Sequence, residues 1–481
     1  MTEDPTAEPQ ENSSGLTAFL GPLILFGTFA FFYASPVSQI IDTRGSSIFS
    51  YTLLHEGKLS VPATPANKKD YRFIRAGGRA RYYFSEAPLV LNAPFVLGFE
   101  LAGVSVVDAS GNVSRRGEAL LFRFVAALLA AATCWIFWNT ATEYLTATLA
   151  ALLTLGFAIA SPVASTLARP FWSHSWAAFL LSAAIFLLMA ERFAERRWAH
   201  VAMGMLAAWA YFCRPSMSLG VIALVVLLLI QRRRQVGWFM VGSLGWLALF
   251  VVHSLTVFGT ALPRYFRSPG QGFAIDGNFL EALAGTMVSP GRGLLVYLPY
   301  LGVLAFLAVV GWREIPRRSI VVAAGGVLVL HWIVVASFHN WWGGHSFGPR
   351  LFADTLPWLF AAAVLILRGT RDRGHAGHAP RVAIAVLIAS FVLGTFIHGR
   401  GAMDAVTLKW HEPIPEVGLP RVRRLRLFRQ ERLWNWRYPQ FLSGMVKPPP
   451  LDIPEEWLED LRSKRRKGKK AEPTEGAEPQ L

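Results

Sequence analysis

Long runs of apolar residues, separated by short polar segments, dominate the chain. Crossing the hydrocarbon layer of a membrane takes about 20 predominantly apolar residues in a helix. We predict spans at residues 16–33, 119–137, 145–160, 176–189, 201–212, 219–230, 236–258, 294–310, 320–336, 352–367 and 382–397. The pattern therefore predicts an all-α polytopic membrane protein of about eleven transmembrane helices.

Blocks of arginine between the apolar runs predict the topology. The runs 201–212 and 219–230 are each short, so one interrupted helix is the alternative to two spans. With two spans, all four basic blocks fall on one side of the membrane, as cytoplasmic loops require. The blocks are Arg192, Arg196 and Arg197; Arg232, Arg233 and Arg234; Arg313, Arg317 and Arg318; and Arg368, Arg371, Arg373 and Arg381. We therefore predict two spans and a cytoplasmic N-terminus.

This topology divides the chain into three parts and puts most polar loops outside. The parts are a cytoplasmic segment (1–15), a transmembrane domain (16–398) and an outward tail (399–481) whose end has the composition of a disordered chain. The long first loop, 34–118, is outward. Within it, 46–56 and 87–102 are apolar but too short to span, which predicts helices lying in the membrane interface. Functional residues are therefore expected on the outward face.

Composition supports the membrane assignment and argues against other classes. The 481 residues are 53% hydrophobic and 16% charged, whereas soluble domains have about 25% charged residues. The formal charge of +16 comes from basic residues between apolar runs and in the tail, which favours membrane orientation over nucleic-acid binding. Two cysteines cannot build a disulfide framework or metal cluster. The sequence lacks motifs for ATP-driven transport, zinc proteolysis and serine hydrolysis.

Two outward acids are candidates for a general base. Asp42 follows the first span at the predicted outer interface, where an acid is costly unless it is solvated or paired. The alternative is that Asp42 caps the interfacial helix that follows it. Glu86 precedes the second interfacial helix, and a role at that helix N-terminus is favoured over catalysis.

The segment 338–357 combines aromatic, basic and glycine residues on the outward side. Four of its side chains are candidates for contact with a sugar or an acceptor: Trp341, Trp342, His339 and His345. The tryptophans could instead belong to the interfacial aromatic belt. Two histidines without a matched third ligand give a metal site no support. Arg350 and Asp354 have the spacing to pair on one helix face.

Outward arginines near the ends of spans are candidates for phosphate binding, because guanidinium groups bind phosphates bidentately. These residues are Arg214, Arg264, Arg292 and Arg350. For any single arginine, snorkelling towards lipid head groups is the better alternative. Several of them converging on one cavity would favour phosphate binding.

The order of these features resembles the GT-C superfamily of membrane glycosyltransferases. The closer likeness is to bacterial family 39, including aminoarabinose-transferase-like and protein O-mannosyltransferase-like proteins. The likeness is carried by IIDTRGSSIFSYTLLHEG around Asp42, YYFSEAPLVLNAPFVLG, SHSWAAFL, CRPS, SPGRGLLVYLP and WWGGHSFGPRLFADTLP. The sequence departs from the family at Glu86, where related transferases often carry a basic residue.

The resemblance implies transfer of a hexosyl or pentosyl group from a polyprenyl-phosphate donor to a hydroxyl or amine, with inversion at the anomeric carbon, on the outer side of a bacterial inner membrane. The acceptor would be a lipid, a glycan or a protein. Asp42 would remove the acceptor proton, outward arginines would hold the donor phosphate, and Glu86 would act with Asp42 or alter donor binding. No cofactor is implied, and a divalent metal has no support. The alternatives are a transporter or flippase of lipid-linked sugars, and a non-catalytic scaffold of this fold.

Overall fold

Helices make up most of the protein. The structure is a computed structural model that describes residues 11–38, 42–64, 70–169, 173–267, 278–372, 378–411 and 432–448, with 455, 456 and 459. The α-helices are α1 (Glu11–Tyr33), α2 (Ser47–Glu56), α3 (Ala87–Leu101), α4 (Arg115–Thr142), α5 (Ala147–Ile159), α6 (Ser173–Met189), α7 (Arg197–Cys213), α8 (Ser218–Gln231), α9 (Val236–Phe258), α10 (Arg264–Arg267), α11 (Phe279–Val288), α12 (Leu294–Tyr297), α13 (Tyr300–Val310), α14 (Arg318–Ala336), α15 (Leu356–Asp372) and α16 (His378–Met403).

Six helical segments in the described part of the chain are long and apolar enough to cross a membrane. They are Gly15–Tyr33, Arg115–Thr142, Arg233–Phe258, Arg318–Ala336, Arg350–Arg371 and Val382–Met403. The chain is therefore a mostly helical, multi-pass membrane protein. All eleven predicted runs are helical, but the five that lie outside these six segments form helices of 17 residues or fewer. The run 294–310 is divided because Pro299, which lacks an N–H group, starts a new helix there.

One end of the bundle, here called the basic end, gathers loops that carry the arginine blocks. Arg317 donates to the Tyr144 hydroxyl (3.0 Å) and to Gln231 Oε1 (2.9 Å), and Arg368 donates to the Tyr144 carbonyl (3.2 Å). Glu191, which adjoins the first block, pairs with Arg317 (3.0 Å). The blocks thus lie together, as the topology predicted. Arg373, the side chain of Arg381 and the predicted disordered end of the tail lie outside the described residues.

The first loop contains the two predicted helices, α2 and α3, and a small antiparallel sheet that the sequence pattern did not predict. Strands β1 (Val61–Pro62), β2 (Phe73–Ala76) and β3 (Arg79–Tyr82) have the order β1-β3-β2. Gly77 and Gly78 form the β2–β3 turn with φ of 58° and 74°, which residues with a side chain rarely adopt. The sheet packs on α2 and α3 through Phe49, Tyr82 and Leu89.

Close helix packing brings α7 and α9 together at two glycines. A Cβ atom on Gly204 would lie 2.0 Å from the carbonyl oxygen of Phe239, and one on Gly242 would lie 1.9 Å from that of Val201. Small residues let the backbones of membrane helices approach in this way, and van der Waals packing then holds them. The contact fixes the end of α7, where Arg214 follows, relative to α9.

Candidate functional site

A cavity of about 910 Å³ lies at the end of the bundle opposite the basic end. Helices α6 and α8 begin at this cavity, and α7 and α14 end there. Each of the four helices therefore connects the cavity with the basic end. The first loop supplies the facing wall. The charged and phenolic side chains that line the cavity include Asp42, Tyr71, Tyr82, Arg214, Arg264, Arg350 and Asp354.

Asp42 lies at the cavity wall with its carboxylate partly exposed. The Tyr71 hydroxyl donates to Asp42 Oδ1 (2.9 Å), and Arg350 Nη1 lies 3.6 Å from Oδ2. The Tyr82 hydroxyl donates to the Asp42 backbone carbonyl (2.9 Å). Helix α2 begins at Ser47, with Ser46 at its N-cap position. The alternative that Asp42 caps this helix is therefore wrong, and the carboxylate faces the cavity.

The predicted pair between Arg350 and Asp354 is wrong. Residues Arg350–Thr355 form a 3₁₀-helix, in which three residues make a turn, so side chains four positions apart point in different directions. Arg350 faces Asp42 instead. Asp354, which the sequence did not single out as a site residue, lies in the cavity wall with a side chain that is 2% exposed. It accepts hydrogen bonds from His174 Nδ1 (2.6 Å), Arg214 Nε (3.0 Å) and Ser216 Oγ (2.5 Å).

Three of the four candidate arginines line this one cavity together with Asp42. Arg214 is oriented by Asp354 and by Ser173 Oγ, which accepts from its Nη1 (3.0 Å). Arg350 is almost fully buried, with a side chain that is 9% exposed. Arg264 lies at the exposed rim, at the start of α10. The convergence that would distinguish phosphate binding from lipid snorkelling is present for Arg214, Arg264 and Arg350.

Arg292 has a different environment from the other candidates. Its guanidinium donates to the carbonyl oxygens of Trp342 (2.7 Å) and Ser346 (2.9 Å), and to Gln440 Oε1. It also lies 4.9 Å above the Trp410 ring. Burial lowers the pKa of Arg292 to about 10, so the group stays charged at neutral pH. Arg292 does not line the cavity. It connects the turn 342–346 to the C-terminal segment, by which we mean the described residues 404–411 and 432–448.

The four candidates for sugar or acceptor contact also lie outside the cavity wall. Trp341 and Trp342 are buried in a second apolar cluster with Trp410, Leu433 and Tyr438, so they are not part of an exposed aromatic belt. His345 is exposed, with its ring 5.1 Å from that of His411. His339 does not line the cavity, although its neighbour Asn340 does. The reason is that the C-terminal segment, distant in sequence, packs on the turn that carries them.

Glu86 lines a second, smaller cavity of about 170 Å³ rather than the one that contains Asp42. His253 Nε2 lies 2.7 Å from Glu86 Oε2, and Arg81 Nη1 lies 3.6 Å from Oε1. Glu86 occupies the N-cap position of α3, but its side chain makes no capping hydrogen bond and faces His253 and Arg81 instead. The structure does not bring the two candidate acids together.

Sequence patterns gave little sign of several polar residues around the cavity. The first loop packs against α6, α7 and α14, and only this packing brings Tyr71, Tyr82 and Asp354 into the wall of one cavity. His174 and Ser216 belong to SHSWAAFL and CRPS, which carried the family resemblance, but nothing in those segments indicated Asp354 as their partner. Within the described ranges, no cluster of three or more His, Cys, Asp and Glu side chains could hold a metal ion.

Comparisons with solved structures find matches to this chain at low sequence identity. ArnT from Cupriavidus metallidurans bound to undecaprenyl phosphate is 15% identical, with a TM-score of 0.46 over 88% of this chain and 73% of that one. The oligosaccharyltransferase of Archaeoglobus fulgidus in its apo form is 13% identical, with a TM-score of 0.48 over 93% of this chain and 61% of that one. No protein-family model and no curated protein match the chain.

Proposed function

We propose that this protein is a membrane glycosyltransferase. It transfers a sugar from a polyprenyl-phosphate donor to the hydroxyl or amine group of an acceptor, and Asp42 acts as the general base. The observation that carries the proposal is a carboxylate and three arginines, Arg214, Arg264 and Arg350, in the wall of one cavity. The order of the sequence motifs that resemble GT-C enzymes supports the same activity.

The charge of the cavity wall suits a phosphate. Three arginines face two carboxylates, Asp42 and Asp354, which leaves a formal surplus of one positive charge. Asp354 accepts from Arg214 Nε, and no hydrogen bond to another described residue engages Arg214 Nη2. Guanidinium has donors in a rigid fork that matches phosphate oxygens. Arg214, Arg264 and Arg350 would therefore hold the donor phosphate and stabilise the charge that develops on it as it leaves.

Asp42 is placed to take the acceptor proton. The acceptor oxygen or nitrogen attacks the anomeric carbon of the sugar, and the bond from that carbon to the phosphate oxygen breaks. The acceptor proton goes to Asp42, and the bonding electrons leave with the lipid phosphate. General-base catalysis of this kind contributes about 10²- to 10⁴-fold to a rate. Inversion at the anomeric carbon, which the sequence resemblance implies, accords with one direct displacement.

The Tyr71 hydroxyl marks the position that an acceptor hydroxyl would take on Asp42. It donates to Oδ1 (2.9 Å), as the acceptor group must do before its proton is removed. Burial, and then the charge of Asp42, raise the pKa of Tyr71, so the phenol keeps its proton. We infer that an acceptor displaces this hydroxyl when it binds.

The smaller cavity gives the donor lipid an apolar surface beside the phosphate site. Its wall includes Trp209, Trp246 and Phe250, and it shares Tyr83 and Phe84 with the larger cavity. Helix α9, which carries Trp246 and Phe250, is mostly unburied and highly apolar, as expected for a helix that faces lipid. A polyprenyl chain could reach this surface from the membrane. We propose that the lipid chain lies here, with its phosphate at the arginines.

The location of the reaction follows from the positive-inside rule. The basic end of the bundle is opposite the cavity, and loops rich in arginine face the cytoplasm. We therefore propose that the cavity opens on the outer side of a bacterial inner membrane. The two-span assignment of α7 and α8, the total of eleven spans and the cytoplasmic N-terminus are parts of the same proposal.

The test is transfer from a labelled polyprenyl-phosphate sugar in membranes that contain the protein. Release of polyprenyl phosphate by wild type, and a fall of about 10²- to 10⁴-fold in Asp42→Asn, are expected. Asp108→Asn, which alters a fully exposed acid in the same loop, is the matched control. Turnover unchanged in Asp42→Asn would remove the assignment of the base. Movement of the lipid-linked sugar across the membrane without cleavage would favour the transporter alternative.

A further inference from the structure

The short loop that carries Asp42 is held by an acid from another element. Glu118, in the first turn of α4, is 4% exposed. Its two carboxylate oxygens accept from the Gly45 backbone N–H (3.0 and 2.9 Å). Oε1 also accepts from the Ser47 backbone N–H (3.2 Å) and hydroxyl (2.7 Å). One buried carboxylate thus binds the last part of the turn that connects Asp42 to α2, at Gly45 and at the first residue of the helix.

Other contacts hold further backbone groups of this loop. The Ser46 N–H donates to the Thr43 carbonyl (3.0 Å), and Arg72 Nη1 donates to the Arg44 carbonyl (2.8 Å). Gly45 adopts a φ of +83°, a left-handed conformation that other residues rarely take. The loop is therefore irregular, and its shape depends on side chains from outside it rather than on a helix or strand of its own.

We propose that Glu118 is a positioning residue for Asp42, an inference that rests on the proposed transferase function. Glu118 does not line the cavity, so it has no part in binding the donor or acceptor directly. Its helix α4 is 28 residues long and packs through most of its length in the core of the bundle. Through Glu118, that core sets the place of Asp42. Displacing a catalytic group by about 1 Å can reduce a rate about 10²-fold.

The carboxylate is the group that this position requires. Three donors, two N–H groups and one hydroxyl, point at Glu118 Oε1 and Oε2. A glutamine has nearly the same shape but only one oxygen, and its NH₂ group would face one of these donors. An alanine would leave the N–H groups of Gly45 and Ser47 without their acceptor. The two substitutions therefore loosen the loop to different degrees.

The experiment compares Glu118→Gln and Glu118→Ala with wild type by amide hydrogen exchange and by kinetics. Exchange of a peptide that covers residues 43–48 should become at least about tenfold faster in Glu118→Ala, since the Gly45 and Ser47 amides lose a charged acceptor. The kcat should fall about 10- to 100-fold, while KM for the donor stays within about twofold. Glu118→Gln should lie between Glu118→Ala and wild type in both measurements.

Two further variants separate positioning from a general loss of stability. Ser47→Ala removes only the hydroxyl contact with Glu118, and a smaller decrease in kcat with native folding is expected. Glu100→Gln, which removes an acid paired with His55 elsewhere in the first loop, should change neither exchange nor kcat.

Each remaining result has a definite meaning. Unchanged exchange at residues 43–48 in Glu118→Ala would overturn the proposed anchor. Faster exchange with an unchanged kcat would overturn the positioning role. If wild type fails to cleave any lipid-phosphate sugar, the proposed function fails, and exchange alone then decides whether Glu118 anchors the loop.

Discussion

Two buried arginines in this protein have the same charge and nearly the same burial but different surroundings. Arg292 directs its donors at carbonyl oxygens of the turn 342–346 and at Gln440. Arg350, a few residues beyond that turn, lines a cavity and lies 3.6 Å from the partly exposed Asp42 carboxylate. Burial of a cation is therefore not a sign of an anion site. What distinguishes the two is whether the guanidinium faces protein oxygens or a space that a ligand can enter.

The surroundings of the two arginines also differ in what packs on them. The C-terminal segment covers Arg292, with Trp410 against the guanidinium and His411 beside it. Burial, followed by the charge of Arg292, holds the pKa of His411 well below its usual range, so this ring is neutral. Around Arg350, by contrast, the cavity separates the first loop from the helix ends. One region is a clamp between two parts of the protein, and the other is the binding site of the proposed function.

The largest expected effect that would separate these roles is on turnover. Arg350→Gln should lower kcat/KM for transfer about 10²- to 10³-fold, because it removes a preorganised donor from the leaving phosphate. The unfolding midpoint in detergent should change less than in a variant of Arg292, since Arg350 faces the cavity and a partly exposed carboxylate rather than buried carbonyl oxygens. Release of polyprenyl phosphate from the labelled donor measures the effect. Near-normal turnover in Arg350→Gln would show that Arg214 and Arg264 hold the phosphate without it.

The next effect is on stability. Arg292→Gln should destabilise the folded protein by about 3 kcal/mol, because it leaves buried carbonyl oxygens without donors at about 1–3 kcal/mol each. Activity per folded molecule should stay close to that of wild type. Thermal unfolding of the purified protein, together with turnover per folded molecule, tests this. A variant that unfolds normally but has a raised KM for the donor would contradict the structural role of Arg292.

The smallest expected effect concerns the hydrogen bond between Tyr71 and Asp42, the carboxylate that faces Arg350. In Tyr71→Phe, the acceptor no longer competes with a phenolic hydroxyl for Oδ1, and one such hydrogen bond has a net value of about 1 kcal/mol. The kcat/KM for the acceptor should therefore rise about fivefold. Tyr51→Phe, on α2 away from Asp42, serves as the control. A loss of turnover in Tyr71→Phe would instead show that the hydroxyl takes part in the reaction.

Prediction from sequence succeeded where a single segment contains its own signal. The apolar runs predicted the helices, and the arginine blocks predicted which loops share one end of the bundle. Arg214, Arg264 and Arg350 meet the criterion that several arginines converge on one cavity, but convergence is visible only in the tertiary structure. Prediction failed for Arg350 with Asp354, since residue spacing does not distinguish an α-helix from a 3₁₀-helix. It also placed Trp341 and Trp342 at a site, because nothing local indicated that the C-terminal segment would bury them.

By itself, the sequence determined that the chain forms a bundle of membrane helices and that an acid follows the first span. Hydrophobicity and charge act over a few neighbouring residues, so their patterns can be recognised along the chain. Only the tertiary structure decided that Asp42 and Arg350 meet, that Glu86 turns towards His253, and that Glu118 holds the loop of Asp42. Those contacts join residues between 71 and 308 positions apart in the sequence, and their formation depends on the packing of all the helices between them.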